Sequence, residues 1–144
     1  MIIGGGLAGL TCAIRCSEAG LRTGILSGGM NSLHFSSGSI DLAGYDENGE
    51  IVKKPFEQVR RICRTRKGHP YAKAGLPVIR KALEFFIDRT AQSGLKLNHN
   101  GDMNHFHITG LGMLKPAYLS QESVFNPGIH EVISTGGKIA ILNF

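Results

Sequence analysis

Apolar and small residues set the rhythm of the first 26 positions. Met1-Ile2-Ile3 is an uncharged apolar run, and Gly4-Gly5-Gly6-Leu7-Ala8-Gly9 follows it at once. Leu7, Leu10, Ala13 and Ile14 then recur at helical spacing, which predicts a helix over residues 7–19 with Gly20 in the place of a C-terminal glycine. Leu21 to Leu26 gives a second short strand. Strand, glycine loop, helix and strand thus fit within the roughly 30 residues that a nucleotide-binding βαβ start occupies.

Farther along, helix and loop signals alternate without an internal repeat or a low-complexity tract. Asp46-Glu47-Asn48-Gly49 is a turn cluster, Phe56 to Arg66 predicts a basic helix, and Gly68-His69-Pro70-Tyr71 breaks it. Pro77 suits the first turn of another helix, whose expected buried stripe is Val78, Ile79, Ala82, Phe85 and Phe86, with Ser93-Gly94 as its stop. Leu95 to Leu97 and Phe106 to Thr109 predict short strands. The polar stretch Asn98 to Asn104 between them makes a hairpin the expectation, and Gly110-Leu111-Gly112 bends the chain afterwards. Lys138 to Phe144 reads as a further apolar strand.

Gly4, Gly6 and Gly9 spell G-x-G-x-x-G, and each glycine has its own task. Gly4 permits the tight turn, Gly6 lets a phosphate approach the backbone, and Gly9 lets helix and strand pack closely. With Gly5, Leu7 and Ala8 they form a loop whose amides, at a helix N-terminus, are aimed where a pyrophosphate sits. The acidic residue that normally grips an adenosine ribose about 20 residues on is absent; Ser27 stands there, followed by Gly28 and Gly29. A serine hydroxyl holds a ribose without charge assistance. The expectation is flavin mononucleotide (FMN), or a dinucleotide held differently.

A second stretch with chemical content is His34-Phe35-Ser36-Ser37-Gly38-Ser39-Ile40-Asp41-Leu42. Ser36, Ser37, Gly38 and Ser39 offer hydroxyl and backbone donors to a phosphate or to the polar edge of a flavin ring. His34 precedes them and is the candidate for donating to a reduced flavin or a substrate phosphate; the alternative is a hydrogen-bonded structural histidine. His69 reads as a loop residue. His99, His105 and His107 have no cysteine or carboxylate company in ligand spacing, so no metal site is expected.

The chain has 144 residues and a net charge of +5. Arg60, Arg61, Arg64, Arg66 and Lys67 cluster in one segment, which reads first as a solvated helix face and second as a contact for a partner subunit or an anionic membrane. The cluster lacks the interleaved aromatics of a single-strand nucleic-acid binder, so no nucleic acid is expected. Cys12, Cys16 and Cys63 form no C-x-x-C pair and read as buried thiols in a reducing compartment. Three glycines interrupt any secretory apolar core, and no run of about 18 apolar residues occurs, so a soluble or peripheral chain is expected.

The fold class these patterns predict is α/β: a Rossmann-like flavin-binding βαβ start, then the beginning of an inserted α+β region, in an incomplete domain. Residues 1–45 are the N-terminal part of the nucleotide domain, and residues 46–144 are an inserted or second region plus the start of a further strand. A short first strand and a last apolar run without a covering helix give the expectation of an N-terminal piece of a longer polypeptide.

The glycine loop Gly4 to Leu10, the run Leu33 to Leu42 and His69-Pro70-Tyr71 together resemble the B-type subunit of anaerobic glycerol-3-phosphate dehydrogenases. The histidine-phenylalanine-serine-serine-glycine-serine run is the more particular of these. The likeness continues in order to Gly110-Leu111-Gly112 and the closing strand, covering the chain but only about the first third of a full family member. That family also carries a hydroxyl residue near Ser27.

The resemblance implies an FMN-bearing oxidoreductase subunit in a three-subunit assembly, with FAD as the alternative cofactor. Its partners there are an FAD-containing catalytic subunit, which oxidises sn-glycerol 3-phosphate to dihydroxyacetone phosphate, and a membrane-attached iron–sulfur subunit. The latter passes electrons to quinone in anaerobic respiration on fumarate or nitrate. The implied location is the cytoplasmic face of the inner membrane, peripheral through the partners. Carried over by position, Gly4, Gly6, Gly9 and Ser36 to Ser39 contact flavin. Two other readings stay open: a different FAD- or NAD(P)-dependent oxidoreductase sharing only the glycine turn, and a non-functional truncated remnant.

Overall fold

The computed structural model describes residues 1–29, 31–109, 111–138 and 140, and the chain divides into two units, Met1–Ser37 and Gly38–Phe144. In the first unit, β1 (Ile2–Ile3) leads through the glycine loop into α1 (Leu7–Glu18) and on to β2 (Ile25–Leu26). β1 and β2 pair in parallel, Ile2 opposite Ile25 and Ile3 opposite Leu26. Parallel neighbours need a crossover, and α1 supplies it.

Helix α1 stops where the sequence says it should. Gly20 adopts φ +77°, and its N–H donates to the Ser17 carbonyl while Leu21 N–H reaches back to Cys16. These two bonds satisfy carbonyls that the helix end would otherwise leave open. None of the α1 side chains is buried within its unit, and Cys12, expected inside, is exposed. The thiol of Cys16, one turn on, bonds it and raises its pKa.

The second unit holds β3 (Ser39–Ile40), α2 (Pro55–Thr65), α3 (Pro70–Ala74), α4 (Leu76–Gln92), β4 (Leu97–Asn98), β5 (His105–Ile108), β6 (Leu114–Ala117), β7 (Leu119–Gln121) and α5 (Ile129–Ser134). A three-stranded antiparallel sheet runs in the order β3-β7-β4, and β5 and β6 form a separate antiparallel pair. Its core is Leu42, Phe56, Val59, Leu97, Tyr118 and Leu119. Segment 38–45, expected to go with the glycine loop, is held within this unit by the pairing of Ser39 and Ile40 with β7.

Pro55 opens α2 at a position where a missing N–H costs nothing. Phe56, Val59 and Cys63 then point inward at helical spacing, while Arg60, Arg61 and Arg64 are exposed. In α4 the inward stripe is Leu76, Ile79, Leu83, Phe86 and Ile87 rather than the expected Val78, Ala82 and Phe85. Val78 is 57% exposed. The helix is therefore rotated from the expected face, because the neighbouring α2 and α3, not α4 alone, decide which apolar positions meet a partner.

The expected hairpin between 95–97 and 106–109 is not formed. β4 pairs with β7, and β5 pairs with β6, where Thr109 N–H donates to the Met113 carbonyl at 2.8 Å. Pro116, opposite Phe106 in the register, had hidden β6, since proline inside a run argues against a strand. The expected closing strand 138–144 lies outside the described residues except for Lys138 and Ala140. Among the described residues, no helix is long and apolar enough to cross a membrane.

Candidate functional site

Gly9 sits where α1 crosses the end of β1. A Cβ there would lie 1.9 Å from the Gly4 carbonyl oxygen and 3.6 Å from the Ile2 side chain, so no other residue allows this approach. Gly4 takes φ +108°, which only glycine adopts without strain. Its N–H is spent on the Leu26 carbonyl at 2.8 Å, which fixes the loop to β2.

Gly6 is different. It is the residue before α1, and among the described residues a Cβ on it meets only Ser32 Oγ, at an ordinary 3.6 Å. Packing does not demand glycine here. Among the described residues no side chain caps α1, and its first turn carries no acidic residue, so the amides of Leu7, Ala8 and Gly9 face outward with the positive end of the helix dipole. That combination suits an anionic oxygen.

Polar side chains from the far side of β2 close over the loop. A Cβ on the buried Gly5 would stand 2.9 Å from Ser27 Oγ and 3.4 Å from Asn31 Nδ2. Ser27 Oγ donates to the Gly29 carbonyl at 3.2 Å, and Asn31 Oδ1 accepts from Leu33 N–H at 2.9 Å, capping a 3₁₀ turn at Ser32–Phe35. Asn31 and Ser32 were not singled out from sequence. An asparagine before a short apolar turn is a capping signal, and it was there to be read.

The serine run is divided between the units. Ser36 closes the 3₁₀ turn with its N–H on the Leu33 carbonyl, and it and Ser37 are exposed in the first unit beside an exposed His34, whose ring meets Phe35 edge-on. Gly38 and Ser39 belong to the second unit. Gly38 has φ +69° and accepts from Gln121 N–H, and Ser39 Oγ donates to Asp41 at 3.3 Å and accepts from Lys115 Nζ at 3.3 Å. Lys115 also pairs with Asp41 at 2.8 Å. His69, read as a loop residue, caps α3 by accepting from Tyr71 N–H.

The second unit holds a cluster of two histidines, weighed from sequence only as metal ligands, and a serine that sequence reasoning did not single out. His105, His107 and Ser120 are buried, and Ser120 Oγ lies 2.5 Å from Nε2 of each histidine, with the two Nε2 atoms 3.3 Å apart. Burial, reinforced by His107 and His99, pushes the His105 pKa down to about 4; burial and then Lys115 lower that of His107, against an opposing pull from Asp41. The alternation of His105 and His107 on one strand was the available signal; Ser120, 13 residues past His107, carried none. Among the described residues no group of three or more His, Cys, Asp or Glu side chains is placed to hold a metal ion.

Comparisons with known proteins bear on the glycine loop. The family described as FAD binding domain matches residues 1–143. A protein of Aliivibrio fischeri (strain MJ11), named as the B-type subunit of anaerobic glycerol-3-phosphate dehydrogenase, is 40% identical over 125 residues, 86% of this chain and 28% of that protein. Proteins of the same name from Vibrio vulnificus (strain YJ016; 40% over 125 residues, 86% of this chain) and Pectobacterium atrosepticum (39% over 120 residues, 83% of this chain) are covered over 28% and 29% of their lengths. The chain thus spans less than a third of these relatives. No solved structure matches it. A partial Rossmann-like βαβ start with an uncapped helix behind three spaced glycines, matched over nearly its whole length, makes the chain a flavoprotein chain that belongs to the FAD-binding domain family.

Proposed function

We propose that this chain is the flavin-holding N-terminal part of a B-type subunit of an anaerobic glycerol-3-phosphate dehydrogenase. The open N-terminus of α1, with Gly6 unconstrained by packing, is the observation that carries the reading. The amides of Leu7 to Gly9 hold the phosphate oxygens, and Ser27, Asn31 and Ser32 line the loop beside them. Bound flavin supplies reversible electron transfer. The protein's own part is to fix its phosphate by backbone dipoles, which lose no side-chain freedom in doing so.

In the complete polypeptide this subunit takes part in oxidising sn-glycerol 3-phosphate to dihydroxyacetone phosphate, a loss of two electrons and two protons that quinone receives. Its partners are an FAD-bearing catalytic subunit and a membrane-attached iron–sulfur subunit, at the cytoplasmic face of the inner membrane. The names of the relatives, each one subunit of a larger dehydrogenase, support an assembly. His34 is exposed and available to a flavin or a substrate phosphate, and Ser36 and Ser37 share that exposure.

Ser27 in place of a carboxylate favours FMN; the family description favours FAD. Expressing the full-length polypeptide and identifying the extracted cofactor by mass decides between them. Recovered FMN supports the reading drawn from Ser27, and recovered FAD replaces it while keeping the flavoprotein. A colourless protein, or one releasing NADP, overturns both.

A further inference from the structure

We propose that His105, Ser120 and His107 form an acid-released lock, which holds the β5–β6 hairpin against β7 while both imidazoles are neutral. The need for such a lock lies in the sheet topology. β5 and β6 bond to each other, and β7 bonds to β3 and β4 in a different sheet. β6 runs into β7 through the corner residue Tyr118, but β5 is joined to β7 through side chains, with Ser120 Oγ set between the two imidazoles.

Hydrogen-bond logic fixes the neutral arrangement. A hydroxyl donates one proton and accepts others, so it satisfies two imidazoles only if one donates to it and the other accepts from it. Among the described residues, His105 Nδ1 is buried without a partner. A bare lone pair there costs less than a stranded N–H, so His105 donates through Nε2 to Ser120, and Ser120 donates to Nε2 of His107. A proton added to His105 lands on the partnerless Nδ1. One added to His107 must enter at Nε2, where it turns the acceptor into a second donor and strands the Ser120 proton.

The surroundings offer little relief. From β6, Lys115 opposes a second positive charge; beyond β4, His99 does the same; after β3, Asp41 favours it but is already paired with Lys115. Phe125 closes edge-on over His105, and α5, packed on β5, sets its ionisable His130 against Phe106 on the opposite face of the strand.

The depressed His105 pKa gives the sign and size. Stability from the neutral pair is fully present above the ordinary histidine value of 6.5 and is lost as pH falls from there toward about 4. Near pH 5 the closed state should lose about 30-fold in its opening equilibrium, from a pKa of 6.5 open and about 4 closed. Hydrogen-exchange protection of β5, β6 and β7 in the 144-residue chain, corrected for intrinsic rates and compared near pH 7.5 and near pH 5, reads this directly. The double variant His105→Gln/His107→Gln should flatten the pH response. Proton-NMR titration of the unmodified chain gives a second reading that does not depend on a variant folding: the His105 ring should titrate well below 6.5. Unchanged protection in the unmodified chain, a double variant that folds yet keeps the response, or a His105 midpoint near 6.5 overturns the lock.

Discussion

Gly6 and Gly9 lie three residues apart, one just before α1 and the other in its first turn, and are glycines for opposite reasons. At Gly9 an added Cβ would lie inside the Gly4 carbonyl, so Gly9→Ala should separate α1 from β1 and cost about 1–3 kcal/mol in overpacking alone. At Gly6 the same methyl meets, among the described residues, only Ser32 Oγ at contact distance. Gly6→Ala should therefore leave the melting temperature of the full-length protein nearly unchanged while weakening flavin retention by about tenfold or more, a loss of about 1.4 kcal/mol. Thermal melts beside fluorescence titration of the apo-protein with flavin separate the two effects. Equal loss of stability from both variants would mean that Gly6 serves the fold and not a ligand.

At the scale of elements, one buried amide ties the second unit's loops to its strands. Asn104 Nδ2 donates to the Leu42 carbonyl at 3.2 Å and the Val52 carbonyl at 2.8 Å, while its own N–H goes to Lys53. Asn104→Ala strips both carbonyls of a partner, and a loss of about 1–3 kcal/mol in urea unfolding is expected. Arg80 offers a contrast. It grips Asp102 at 3.2 and 2.7 Å and lies over the Phe56 ring at 3.7 Å, joining α4 to α2 and to the turn before β5. The bond to Arg80 holds the Asp102 carboxyl below its usual range, so its contribution is present at neutral pH and fades as acid protonates Asp102. Both groups are largely solvated, and Asp102→Asn should cost no more than about 1 kcal/mol, a loss that high salt reduces. A much larger value would mean that the pair is shielded from water.

For the molecule as a whole, exposed apolar side chains matter more than charge. Ile3 is 84% and Phe35 80% exposed in the first unit, and Leu111 is 85% exposed in the second. Such side chains in number predict self-association of this 144-residue chain. Light scattering after size exclusion at two protein concentrations should show a mass that rises with concentration, and Phe35→Ser should lessen the rise. The net charge of +5 opposes association only weakly at ordinary salt.

Sequence alone determined the parts governed by local chemistry. Glycine spacing announced the loop, Gly20 and Ser93-Gly94 ended their helices where expected, Pro77 stands in a first turn, and an α/β class followed from strand, helix and strand in order. These depend on φ angles, missing N–H groups and periodicity, which each short segment carries in itself. What tertiary structure decided were the pairings. β5 took β6 rather than β4, α4 turned Val78 outward, the serine run was split so that Ser39 bonds Lys115, and two histidines met Ser120 across a sheet boundary. A partner distant in sequence leaves no local mark, because hydrophobic burial and a shared proton depend on which surfaces meet and not on the spacing that brings them there.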